Sequence, residues 1–190
     1  MPGLDSRRKL IELLQLAYSA ERAAAYAYRG HWHSVSNEDE RDRIRQIENE
    51  EWHHRELVGG MLEQLDSGPS RQREFRSLLV GRALGFLCHL MGWLAPMYGA
   101  GRLESRNIRE YETAARHARD CGHEEFTDCL LTMAEVEWEH EHYFRSRILL
   151  HSVGRKLTLW PSPPPKRTIR ESFAKESGAR PRSAGPGFAA

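Results

Sequence analysis

The sequence predicts an all-α protein. No run of alternating β-branched residues indicates a strand, and Ala, Leu, Glu and Arg dominate the composition. Four segments instead place apolar residues at alternating steps of three and four, which is the spacing of one helix face. The chain has 190 residues, the length of one ordinary domain, and its net charge of +1 does not indicate a nucleic-acid partner.

Turn and capping signals divide the chain into four long helices. The predicted helices cover about 6–30, 37–67, 97–121 and 124–151. The four faces expected to be buried are, in order, Leu10, Leu14, Ala17, Glu21, Ala24, Tyr28; Ile44, Ile47, Glu51, His54, Val58, Met61, Leu65; Met97, Gly101, Glu104, Ile108, Tyr111, Ala115, Ala118; and Phe126, Leu130, Met133, Glu137, His140, Phe144, Ile148.

Each of these apolar faces contains acidic or imidazole groups near its middle. Glu51 and His54 have the spacing Glu-x-x-His, which puts both side chains on one helix face, where they can hold the same cation. Because an unpaired buried charge is costly, such a pair requires a partner in the core. Glu21, taken alone, is better explained as a surface residue, but its position on an apolar face favours burial.

Two alternative registers have the same Glu-x-x-His spacing. Glu50 with His53 lies on a much less apolar face of the second helix, so this pair is expected in solvent. Glu139 with His142 competes with Glu137-x-x-His140 in the fourth helix, and its face is also poorer in apolar residues.

An uncharged stretch, 83–100, separates the second and third helices. It is interrupted by Pro96 and several glycines, and it is shorter than the ~20 residues that a membrane span requires. Three interpretations remain open: bundle core, a membrane-surface element or hydrophobic mouth for an apolar substrate, and a transmembrane helix, which is the least favoured.

The chain outside the helices carries few further signals. Residues 155–190 are rich in Pro, Gly, Ser, Lys and Arg, which predicts a disordered basic tail after a bundle domain at 1–154. Cys88, Cys121 and Cys129 form no Cys-x-x-Cys pair, so neither a disulfide framework nor a cysteine metal site is expected. No secretory signal is seen, and a cytoplasmic protein is predicted.

Each half of the chain offers one Glu on one helix and a Glu-x-x-His pair on the next. The six candidate metal ligands are Glu21, Glu51, His54, Glu104, Glu137 and His140. Four carboxylates and two imidazoles are the ligand set of di-iron and di-manganese centres in four-helix bundles. Two divalent cations would neutralise the four carboxylates, so the sequence predicts a two-metal site, with iron or manganese as the metal.

The spacing around these ligands resembles that of the demethoxyubiquinone hydroxylase family. Positions 21–30 read Glu-x-x-Ala-x-x-x-Tyr-x-Gly, and both Ala83–Phe86 and Gly99–Gly101 are similar to the glycine-rich middle of that family. A Tyr also follows the single Glu by seven residues in each half, at Tyr28 and Tyr111. The similarity covers about residues 10–150, and it predicts a ferritin-like four-helix bundle with an additional hydrophobic segment between the second and third helices.

The resemblance implies a di-iron monooxygenase that uses dioxygen to hydroxylate a hydrophobic quinone at a membrane-associated site in ubiquinone synthesis. The six ligands above correspond to the family's metal ligands. Tyr28 and Tyr111 are candidates for electron-relay or hydrogen-bonding roles beside them, with simple packing as the favoured alternative. The segment 83–100 would admit the substrate and contact the inner membrane face peripherally, and a homodimer is considered.

Two other functions remain open. A ferroxidase, metal-storage or peroxide-scavenging protein would use the same ligands, although a complete rubrerythrin would also need Cys-x-x-Cys pairs. A helical interaction module with no metal is the non-enzymatic alternative.

Overall fold

The computed structural model describes residues 2–178, which form α-helices and no strand. The helices are α1 (Pro2–Ser34), α2 (Glu38–Gln64), α3 (Arg71–Cys88), α4 (Leu94–Asp120), α5 (Glu124–Leu150) and α6 (Arg167–Gly178). A short 3-10 turn, Gly154–Lys156, follows α5. The predicted all-α class is confirmed for this part of the chain.

Helices α1, α2, α4 and α5 form an antiparallel bundle. Three-residue connections at 35–37 and 121–123 make α1–α2 and α4–α5 two helical hairpins. The Asn37 side chain caps α2 by accepting a hydrogen bond from the Glu40 amide at 3.0 Å. Gly122, at φ +87°, turns the chain after α4 in a conformation that favours glycine.

The predicted helix faces are the buried ones. Every member of the faces predicted for α2, α4 and α5 is buried, and on α1 only Ala17 is half-buried. Two apolar clusters result, one around Leu14 and Leu130 and the other around Ile47 and Phe144. Between them the glutamates and histidines occupy the centre of the bundle.

The hydrophobic segment between the second and third predicted helices is a longer feature than the sequence indicated. The helix α3 begins twelve residues before position 83 and packs along α1, and a turn at 89–93 separates it from α4. Gly85 is a close contact of the two helices, because a Cβ there would lie 2.7 Å from the carbonyl oxygen of Tyr26. The segment predicted to separate the second and third helices, 83–100, instead comprises the end of α3, the turn after it and the start of α4.

Residues 155–178 are folded against the bundle, which differs from the predicted disordered tail. Trp160 is buried against α4 and α5, and Ile169 of α6 is buried in the cluster around Leu14. The few apolar side chains in this segment provide its anchor, although Pro, Lys and Arg dominate its composition. The rest of the predicted tail, 179–190, lies outside the described residues.

Among residues 2–178, no helix combines the length and the apolar character that crossing a membrane requires.

Candidate metal centre

The structure brings all six predicted ligands together at the centre of the bundle. Two overlapping groups each have one ligand atom per residue within 4.8 Å of the others. The groups are Glu21, Glu51, His54, Glu137 and Glu51, Glu104, Glu137, His140. Glu51 and Glu137 belong to both groups, so they lie where carboxylates could bridge two cations.

Contacts across the cluster link the two Glu-x-x-His pairs. His54 Nδ1 lies 3.1 Å from Glu137 Oε1, and His140 Nδ1 lies 3.3 Å from Glu51 Oε1. Each histidine therefore faces the glutamate of the opposite pair. Because α2 and α5 run antiparallel, their two copies of the motif meet in this reciprocal way.

Tyr28 and Tyr111 also contact the cluster reciprocally. Tyr28 of α1 donates a hydrogen bond to Glu104 of α4, and Tyr111 of α4 donates one to Glu21 of α1. Burial and the nearby carboxylates raise the pKa of both phenols well above 10, so both remain donors. The sequence pointed to both tyrosines as supporting residues, and each contacts a candidate ligand.

The cluster is shielded from solvent by the bundle, and its polar atoms are incompletely paired. None of the six candidate ligands is more than 3% exposed. Within the described residues, the cluster atoms without a hydrogen-bond partner are Glu21 Oε2, both Glu51 oxygens, Glu137 Oε2 and His140 Nδ1. Buried polar atoms are nearly always paired in proteins. These unpaired atoms instead converge on one another, in an arrangement that could hold a metal ion.

Protons would have to neutralise this cluster in the metal-free protein. Burial and neighbouring carboxylates raise the pKa of Glu51 and Glu104 well above the usual carboxyl value. Burial would also raise the pKa of Glu137, but the neighbouring imidazoles of His140 and His54 hold it well below that value. Burial lowers the pKa of His140, whereas the nearby carboxylates of Glu137 and Glu50 raise it to about 9. Metal binding would displace these protons.

Other buried carboxylates in the chain have cationic and indole partners. Glu40 bonds Arg147 and Trp93, and Glu141 bonds Arg145 and Trp160. Glu48 is paired in the same way with Arg29 and Trp32. Sequence reasoning missed these three glutamates, which lie off the predicted faces.

In contrast, the central carboxylates have no Lys or Arg partner within the described part of the chain. Glu21, Glu51, Glu104 and Glu137 approach only histidine, tyrosine, asparagine or one another. The protein therefore supplies arginines to its peripheral buried acids, whereas among the described residues the only basic groups that it offers the central four are imidazoles. Their donor set and their unpaired atoms fit a pair of divalent cations.

The alternative registers lie largely outside the site, with one exception. His53 and the pair Glu139 and His142 are exposed. Glu50 is half-buried, and its Oε2 lies 2.7 Å from His140 Nε2. The prediction that Glu50 is solvated is thus wrong, because the contact is made across the bundle to α5 and no periodicity within α2 could predict it.

An apolar cavity of about 310 Å³ adjoins the cluster through Tyr28. Its lining residues come from α1, α3 and the start of α4, and they are Ala24, Ala27, Tyr28, His31, Leu84, Leu87, Cys88, Met91, Ala95, Pro96, Gly99, Ala100 and Leu103. His31 is the one imidazole in this lining. It is 2% exposed, and its Nε2 has no hydrogen-bond partner among the described residues.

The surface beside this cavity is apolar. The exposed large apolar side chains here are Phe75, Leu79, Val80, Leu84, Phe86, Leu87, Leu90 and Met91, all on α3 or the turn after it. This set is called the α3 apolar surface. It begins before position 83, so it extends beyond the segment that the sequence indicated.

Comparisons of the chain with models of protein families, with curated proteins and with solved structures found no match. The family resemblance drawn from the sequence therefore stays a prediction.

Proposed function

We propose that this protein is a ferritin-like di-iron protein that activates dioxygen and hydroxylates a hydrophobic quinone-like molecule. The observation that carries the proposal is the contrast among its buried carboxylates. Three peripheral carboxylates are paired with arginine. The four at the centre converge with two imidazoles and have no arginine partner among the described residues. A pair of divalent cations supplies the missing charge.

The proposed ligands divide between two positions and two bridges. Glu21 and His54 would hold one ion, Glu104 and His140 the other, and Glu51 with Glu137 would serve both. When bound, a pair of reduced iron ions supplies electrons and Lewis acidity for dioxygen chemistry. Hydroxylation of a ring C–H by dioxygen also yields water and consumes two electrons, so the reaction requires a two-electron donor.

The cavity supports an apolar substrate. Its lining is almost entirely non-polar, and Tyr28 connects it to the ligand Glu104. A quinone ring inside it would displace water from the approach to the centre. His31 would give a ring oxygen its hydrogen-bond partner, because the Tyr28 hydroxyl is already bonded to Glu104.

The α3 apolar surface supports peripheral contact with a membrane, from which an isoprenoid substrate would enter. Phe86 and Leu90 on this surface are 65% and 67% exposed. Arg76 and Arg82 lie on the same helix, where they would meet anionic headgroups. Vesicle sedimentation with anionic lipid tests this: Phe86→Ser should weaken binding, whereas Leu4→Ser, at an exposed site on α1, should not.

Metal analysis tests the central claim. Protein purified without chelator should contain two iron ions per chain, and anaerobic reduction followed by oxygen should give a transient visible absorption. Two manganese ions would keep the metal site but argue against oxygen insertion. A folded, helical protein that binds neither metal would refute the proposal.

Removing one bridging carboxylate provides the matched test. Glu51→Ala should lower metal content below that of the wild type, whereas Glu56→Ala, at an exposed carboxylate on the same helix, should not. If the cluster does not bind metal, Glu51→Ala should instead leave stability unchanged or increase it, since a buried acid without a cation has been removed.

A product assay separates the enzymatic alternatives. The iron-loaded protein with a reductant should convert a short-chain demethoxyquinone into its hydroxylated product. Oxidation of ferrous iron without quinone turnover would indicate a ferroxidase. A solution mass above that of a dimer would favour a storage assembly.

A further inference from the structure

The two halves of the metal centre repeat the same ligands but not the same supports. The first position has Glu21 and His54, the second has Glu104 and His140, and both share Glu51 and Glu137. These are called the Glu21–His54 position and the Glu104–His140 position. The two positions differ in the hydrogen-bond partners of their glutamates and in those of their histidines.

The terminal carboxylate of the second position is held through both oxygens. Tyr28 donates to Glu104 Oε1, and Asn107 Nδ2 donates to Glu104 Oε2 at 2.8 Å. Two donors on two oxygens fix the rotation of the carboxylate plane. Glu104 is thereby oriented before any ion arrives.

The terminal carboxylate of the first position is held through one oxygen only. Tyr111 donates to Glu21 Oε1, whereas Glu21 Oε2 has no partner among the described residues. The residue three after Glu104 is Asn107, but the residue three after Glu21 is Ala24, which has no polar side chain. Glu21 is therefore oriented by one donor, whereas Glu104 is oriented by two.

The histidine of the second position, His140, is also held by more contacts than the histidine of the first position. His140 faces the cluster through Nδ1, and its Nε2 lies 2.7 Å from Glu50 Oε2. Gln46 in turn bonds Glu50, its Nε2 lying 2.8 Å from Oε1, and Arg43 lies 3.3 Å from Glu50 Oε2. A carboxylate on the outer nitrogen of a ligand histidine fixes the ring and makes it a stronger donor.

In the described part of the chain, the one carboxylate paired with His54 is Glu137, which contacts its Nδ1. Glu50 directly precedes the motif glutamate Glu51, and the residue that directly precedes Glu137 is Val136. Because the two motifs meet reciprocally, Val136 is the counterpart of Glu50 in sequence, and it has no carboxylate to offer the outer nitrogen of His54. Both differences thus favour tighter binding of an ion at the Glu104–His140 position.

We propose that the two metal positions are inequivalent: the Glu104–His140 position binds the first ion and retains it, and the Glu21–His54 position binds the second ion and exchanges it. This inference rests on the proposed two-metal site. The retained ion would be on the side of Tyr28 and the apolar cavity, so the fixed ion faces the substrate. Occupancy of the exchangeable position would then determine whether a chain carries the complete centre.

Titration of chelator-treated full-length protein with cobalt(II) tests the order of binding. Calorimetry and the ligand-field absorption of the ion should resolve two steps per chain, the first tighter than the second. A competing chelator should then remove one ion rapidly and the other slowly. Two steps of equal affinity would overturn the inference and leave the metal site intact, whereas no binding would refute the proposed function itself.

Substitution of Glu50 assigns the tight step. Glu50→Ala should weaken the first step by about 10- to 100-fold and leave the second within a few-fold. Glu50→Gln, which keeps the shape of the side chain, should have a smaller effect. Glu56→Ala on the same helix is the control and should change neither step. A Glu50→Ala effect confined to the second step, or equal on both, would contradict the assignment.

Adding a carboxylate beside the Glu21–His54 position provides an independent test. Val136 is half-buried, so Val136→Glu should be tolerated, and it should strengthen the second step and bring the two affinities closer. Circular dichroism of each variant verifies that the helices are retained. A folded Val136→Glu protein with an unchanged second step would count against the role given to Glu50.

Discussion

Acidification should weaken the fold through His31, whose imidazole lies in the core. The side chain is 2% exposed, stacked near Tyr28 and Phe144, and burial alone lowers its pKa from 6.5 to about 4. The folded protein keeps this group neutral at a pH where the unfolded chain already protonates it. Because the unfolded state binds the proton first, stability should fall as pH drops from 6.5 towards about 4.

The size of the effect follows from the lowered pKa. The difference between 6.5 and about 4 corresponds to about 3 kcal/mol of unfolding free energy once the pH lies below both values. About 2 kcal/mol of this should be lost by about pH 5, and almost none at about pH 7.5.

Urea unfolding of matched proteins isolates this contribution. His31→Gln stays neutral at every pH, so the stability difference between wild type and variant should change by about 2 kcal/mol between about pH 7.5 and pH 5. Both proteins are compared metal-free, so the titration of the central glutamates cancels. His53→Gln, at an exposed imidazole on α2, should follow the wild type. Parallel curves for wild type and His31→Gln would refute the reasoning.

Four further substitutions, one of them a control, test the packing and the site. Gly30→Ala would place a Cβ 2.2 Å from the carbonyl oxygen of Gly85 and should cost at least about 1–3 kcal/mol in thermal unfolding. Gly60→Ala, with nothing within 4 Å of its Cβ, should instead gain about 0.5–1 kcal/mol, and equal effects would contradict the close contact. Trp160→Ala should lose about 3–5 kcal/mol in urea, and a loss near zero would show that the segment after α5 is not docked. Tyr111→Phe should weaken metal binding by about 10-fold in chelator competition at unchanged helicity, and unchanged affinity would deny its support of Glu21.

Periodicity predicted the bundle and the composition of its core because both depend on one helix at a time. Whether Glu51 or Glu50 faces inwards is decided by the apolar residues at steps of three and four on the same helix. The structure agrees, since Glu51 is fully buried and Glu50 is not. Once the apolar face of each of the four helices is turned inwards, all six candidate ligands are brought to the centre of the bundle.

Contacts between helices could not be predicted from the periodicity of single helices. The bond from Glu50 to His140 depends on the relative height of α2 and α5, which no single-helix pattern contains. Docking of Trp160 likewise depends on the small residue Gly101, since a Cβ there would lie 2.6 Å from the indole ring. Composition averaged over the last part of the chain concealed its few docking apolar side chains, Trp160 among them.

The packing of α3 explains why the cavity and the exposed apolar surface occur together. This helix approaches α1 through Gly81 and Gly85, where added Cβ atoms would lie 2.6 Å and 2.7 Å from backbone oxygens. Such close approach leaves no room between the two helices for large side chains. Phe86 and Leu90 are therefore placed away from α1, whereas Leu84 both lines the cavity and is 46% exposed. A helix that only completed the core would bury these residues, so the glycine contact accounts for an exposed apolar surface beside the cavity and the candidate metal ligands.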